Sequence, residues 1–137
     1  MTGRVFDDVA DSILNLLFND TPLIPPATYH VAMSTTMPNS DGSNITEVTG
    51  GSYARCPFDL STANFPTASA REIANGNVLS WATATAGWGT PVALIGYDAS
   101  SGGSPWWWAP ITDPQNILTG VTPVIPVGQL IISMPGT

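Results

Sequence analysis

The chain has 137 residues, a net charge of -7, only 9% charged residues and no lysine; its cations are Arg4, Arg55 and Arg71. That length suits one domain able to bury roughly two-thirds of the surface its unfolded chain exposes. The balance excludes a nucleic-acid binder, which needs a basic stripe, and offers anionic membranes no attraction. No apolar run reaches the ~18 residues of a membrane span, and the single Cys56 excludes an intramolecular disulfide or a multi-cysteine metal site.

In chain order, residues 4–18 read as the one helix. Phe6, Val9, Ala10, Ile13, Leu14 and Leu17 follow helical spacing, with Leu16 and Phe18 widening the apolar arc. Asp7, Asp8 and Asp11 suit the positive end of the helix dipole. They also interrupt any secretory leader pattern, which predicts a protein made in a reducing cytoplasm. Asn19-Asp20-Thr21-Pro22 stops the helix, and Pro25-Pro26 keeps residues 19–26 an extended arm. The helix is expected to pack on a sheet or partly on a neighbour.

The remainder, 27–137, reads as β. Ala27–Ser34 alternates, with Tyr29, Val31 and Met33 on one face. Further strands are expected at Ser52–Phe58, Glu72–Ala82 (with a bulge at Asn75-Gly76), Val92–Asp98, Pro105–Ile111, Asn116–Val121 and Gln129–Met134, with a long loop over 59–70. Frequent turn signals predict a mainly β single domain, an antiparallel β-sandwich or jelly-roll-like fold with one N-terminal amphipathic helix.

The densest information lies between Gly87 and Ile111, where a strand, a Gly/Ser-rich turn and a strand with three consecutive tryptophans follow one another. Alternation points Trp106 and Trp108 one way and Trp107 the other, so both faces need cover, from this chain or another subunit. The tryptophans thus admit core, interface and sugar-stacking readings. A sugar platform would draw polar groups from Asp98, Asp113, Gln115 and Asn116. Trp88, between Gly87 and Gly89, reads as an end plug or a partner-facing anchor. Arg55 is placed to pair with Asp98, Glu47 or a partner's carboxylate.

Catalytic signatures are missing. His30 is the sole histidine and lies mid-strand, and no nucleophile elbow, zinc-binding helix or phosphate loop occurs. Asp41 is the one carboxylate of its loop, too little for calcium; Asn44-Ile45-Thr46 matches a glycosylation sequon. Cys56 reads as a small buried hydrophobe. No cofactor, metal or catalytic residue is expected.

Several segments, in order, resemble a family of small tailed-bacteriophage virion proteins described variously as tail fibre, minor tail or head decoration proteins. These are the helix, Thr28–Ser34, Glu47–Arg55, Trp81–Gly89 and Val92–Gly103; Gly50–Arg55 and Ala84–Gly103 are the specific parts. The triple tryptophan and the Pro123 and Pro126 region depart from the pattern. The resemblance implies a non-enzymatic β-sandwich in the virion, made in the host cytoplasm. The first reading is a capsid decoration, or cement, protein that stabilises the major capsid protein lattice on its exterior, as a homo-oligomeric trimer. The alternatives are a minor tail or fibre protein, or an adhesin module binding host glycan. Interface candidates are Trp88, Trp106, Trp107, Trp108, Arg55, Phe6, Ile13 and Leu17.

Overall fold

The computed structural model describes residues 1–134. The chain is mainly β with one helix: β1 (Thr2–Val5), α1 (Asp7–Asn19), β2 (Thr28–Ser34), β3 (Cys56–Asp59), β4 (Glu72–Ala74), β5 (Leu79–Ser80), β6 (Ala93–Tyr97), β7 (Pro105–Pro110), β8 (Val124–Ile125) and β9 (Ile131–Ser133). Seven strands form one curled mixed sheet in the order β3-β2-β6-β7-β1-β9-β4, and β5 pairs with β8 in a separate ribbon. Among the described residues only β1 and β9 run parallel, and all other strand pairs are antiparallel. The layers therefore come from one curled sheet and a small ribbon.

The central strands are apolar because both of their faces are covered. All five residues of β6 are buried. Alternation sends Val31, Met33, Leu94, Trp107 and Ala109 into the main core, where Leu79, Trp81 and Trp88 close over them. Ala32, Ala93, Ile95, Tyr97 and Trp108 face the other way and meet Phe6 in a second, smaller cluster. Gly96 permits this packing, since a Cβ there would lie 2.1 Å from the Trp107 ring.

The expected helix over 4–18 starts later. Thr2–Val5 is a strand instead, wedged between β7 and β9, with Arg4 opposite Trp108 and Gly3 opposite Ile132. Gly3 makes this possible: a Cβ there would sit 1.9 Å from the Trp108 carbonyl oxygen. Sheet pairing here overrides helical periodicity. Phe6 becomes the N-cap, with extended backbone (φ -71, ψ 163), and its N–H donates to the Trp106 carbonyl at 3.0 Å.

Other boundaries move for local reasons. Ser52 takes a positive φ of 65, so its strand begins only at Cys56. The expected Glu72–Ala82 strand is two strands in two different sheets. Asn75 turns the corner between them: its buried amide donates to the carbonyls of Asn77 and Pro126, and its oxygen accepts the Leu130 N–H. Residues 116–121 contribute a single bridge, Gly89 to Ile117, rather than a strand. Apart from Asp59, which ends β3, the expected loop over 59–70 holds no strand.

Candidate assembly surface

The tryptophan-rich strand is covered by its own chain. Trp107 and Trp108 are 3% and 8% exposed. Trp107 meets Tyr29 edge-on at 5.7 Å, and Phe6 stacks on Trp108 at 4.6 Å. Arg4 lies over the Trp108 ring, 5.7 Å from its centroid. Trp106 departs from simple alternation. The β6–β7 register slips between Gly96–Trp107 and Tyr97–Pro105, leaving Trp106 as the extra residue of a bulge. It packs beside Tyr29 against the main core, half-buried, and its indole N–H reaches the Asp98 carboxylate at 3.3 Å. The expectation that Trp106 and Trp108 share a face is corrected by this bulge.

Trp88 is also interior. Its indole N–H donates to the Gly51 carbonyl at 2.9 Å, and its ring meets Tyr53 edge-on. Three of the four tryptophans proposed as interface anchors, together with Phe6, thus spend their apolar surface inside the chain. Sugar stacking would fall to Trp106 alone. Asp98 lies beside it, whereas Asp113, Gln115 and Asn116 lie beyond the far end of β7.

Arg55 is a structural hub. Its guanidinium makes a two-pronged contact with Glu47, both bonds at 2.8 Å, and donates to the carbonyls of Ala99 and Gly102, also at 2.8 Å. It lies over the Tyr97 ring at 3.8 Å. One charge thereby ties the Glu47–Arg55 loop to the Gly-rich turn after β6. Tyr53 completes the hub, donating to Glu47 at 2.7 Å and accepting the Met33 N–H. Burial of the Glu47 carboxyl disfavours its charge. The hydrogen bonds from Arg55 and Tyr53 and the Arg55 charge outweigh that and hold its pKa below the ordinary glutamate value. Burial, with the Glu47 carboxylate alongside, pushes the Tyr53 hydroxyl well above its usual range.

The remaining polar candidates are engaged locally. Asp41 accepts the N–H and hydroxyl of Ser43 in its own turn. Among the described residues, no group of three or more His, Cys, Asp or Glu is placed to hold a metal. Burial raises the Cys56 thiol pKa. His30 sits half-buried in β2 between Pro57 and Tyr97.

The helix is the opposite case. Its thirteen residues include none that is buried. Asp7 anchors its start, where its N–H and carboxylate bond to the Ser40 carbonyl and hydroxyl. A left-handed Asp20 (φ 59) ends it. Ile13 is half-buried, but Leu14, Leu17 and Phe18 are 54%, 67% and 82% exposed. These three stand at i, i+3 and i+4 and form one patch. In the arm, Ile24 is 83% exposed. Of the proposed anchors, only Leu17, Ile13 and half of Trp106 remain available at the surface. Phe18 and Leu14 were legible as part of the apolar arc, whereas Ile24, isolated among prolines, carried no periodic signal.

A family model described as "Podophage GP4 fiber I protein gp80" matches residues 5–133. The chain belongs to this family. The tailed-phage resemblance is thereby confirmed, and the protein is a structural protein of fibre or tail type from a phage virion. The family description favours the fibre and tail reading over capsid decoration. Among curated proteins, none matches the chain.

Proposed function

We propose that the protein is a non-catalytic assembly module of the phage fibre or tail, joined to its neighbours through α1 and the 19–26 arm. One observation carries this reading: an amphipathic helix, ordered at both ends, buries none of its residues fully and leaves Leu14, Leu17 and Phe18 exposed on one face. Apolar surface contributes about 25 cal/mol per Å² when removed from water, so a helix held in this state gains most by docking. Exposed apolar patches rimmed by polar residues mark interaction sites. The low charge content suits contacts that are mainly apolar. The absence of catalytic chemistry is part of the proposal and is supported by the engagement of Arg55, Asp41 and His30 in local structure.

The test is incorporation. A phage carrying Leu17→Asp and Phe18→Asp should yield particles lacking this protein, while the isolated variant folds normally. Normal incorporation would overturn the reading. Cryo-EM then places the protein: density on the tail or fibre supports it. Density at capsid three-folds, as trimers on the major capsid protein, would replace it with the decoration reading. Binding of purified protein to host glycans would point to the adhesin alternative.

A further inference from the structure

A second apolar feature lies on the other side of the sheet. A groove of about 450 Å³ opens beside β1, β4 and β9, lined chiefly by Val5, Tyr29, Phe65, Ile73, Trp107 and Ile132. These side chains belong to or pack on the main core and to the segments beside it. The groove is therefore on the Trp107 side, whereas α1 departs from Phe6, on the Trp108 side. A short helix leaving one face cannot fold round to fill a groove on the other.

We infer that the α1 patch of one copy docks into the groove of the next, so that copies of this chain associate head to tail. The two surfaces complement each other in kind. The patch presents Leu14, Leu17 and Phe18, and the groove is apolar and large enough to admit leucine and phenylalanine side chains. Their borders offer one pair of opposite charges. Asp11, one turn before Leu14 and Asn15, continues the line that ends at Phe18, and α1 carries no basic residue to offset it. The groove rim carries Arg71, one of the chain's three cations, beside Glu72. Arg55 is already committed to Glu47, so Arg71 is the better-placed cation for a neighbour's carboxylate. A contact between two different surfaces of the same molecule does not close on itself as a two-fold dimer does; it propagates into a ring or a filament. This inference rests on the reading of α1 as an assembly element and names its partner as a second copy.

The experiment is complementation in solution. The patch variant carries Leu17→Asp and Phe18→Asp. The groove variant carries Ala68→Trp, at an exposed position lining the groove. Thermal melts confirm that both fold. In light scattering at rising concentration, the unmodified protein should grow beyond a dimer and each variant should stay monomeric. An equimolar mixture of the variants should stop at a heterodimer, because one intact patch meets one intact groove. As a check that needs no blocked groove, Phe18→Cys and Ala68→Cys chains mixed under oxidation should give the mixed disulfide in preference to either homodimer. Unmodified protein that remains monomeric at every concentration would overturn the inference. So would association lost in the patch variant but retained in the groove variant, which would indicate helix-to-helix pairing. If the patch variant is also excluded from virions while no self-association occurs, α1 docks on a different virion protein. In that outcome the head-to-tail inference fails and the functional reading stands.

Discussion

β7 and α1 both carry several large apolar side chains, β7 on both of its faces and α1 on one wide arc. β7 is covered twice over by its own chain, through the main core on the Trp107 side and Phe6 on the Trp108 side. α1 is half-covered along its first turns, at Val9, Ala10 and Ile13, and bare at Leu14, Leu17 and Phe18. The difference is one of reach. β7 sits mid-sheet, where its neighbours β6 and β1 bring partners to both faces. α1 instead departs from the sheet after β1, and its N-cap Phe6 is buried while no residue of the helix itself is. Apolar density in the sequence marks what must be buried, while topology decides whether the chain or a partner does the burying.

Mutations at the two regions should break in opposite ways. Trp107→Ala should lower unfolding free energy by about 3–5 kcal/mol, with Trp108→Ala close behind at about 3, as for large buried aromatics. Denaturant melts of the isolated protein check this. If either change left folding intact and impaired only assembly, the strand would have an interface face after all. Gly96→Ala, which forces a methyl against the Trp107 ring, should cost about 1–3 kcal/mol through overpacking.

The Arg55 hub gives a pH test. Because folding depresses the Glu47 pKa, its contribution is fully present above the unfolded glutamate value. It is lost as pH falls through the lower, folded value. Melting temperature should therefore decline on acidification across the carboxylate range, and Glu47→Gln should flatten that decline while lowering stability at neutral pH. An unchanged pH profile in the variant would show that the pair is not linked to folding. The smallest effect is expected on the helix: Leu17→Ser should change stability by no more than about 0.5 kcal/mol, while weakening assembly.

Much of the β framework was legible because it obeys simple periodicity. Thr28–Ser34 alternates cleanly, and the unbroken apolar run of β6 announces a strand buried on both sides. The Arg55 to Glu47 pairing was also within reach, since few cations compete for it. Three things were not legible. β1 is a strand only because Gly3 lets two distant strands close on it, which no local window reports. The bulge at Trp106 shifts the alternation by one residue, and bulges leave no reliable sequence mark in a run of identical side chains. The groove is assembled from residues as far apart as Val5, Phe65 and Ile132, so it exists only after folding. The N-terminal helix was recognisable as amphipathic, but amphipathicity alone does not say whose surface the apolar stripe will meet.

The central claim is that α1 is an outward-facing assembly element while the tryptophan strand is self-contained. A cryo-EM reconstruction of the virion at side-chain resolution tests it most directly. The account predicts this chain in the fibre or tail, with Leu14, Leu17 and Phe18 buried against a neighbouring chain and Trp107 and Trp108 touching only their own. A helix left bare in the assembled particle, with neighbours packed instead on β7, would contradict it.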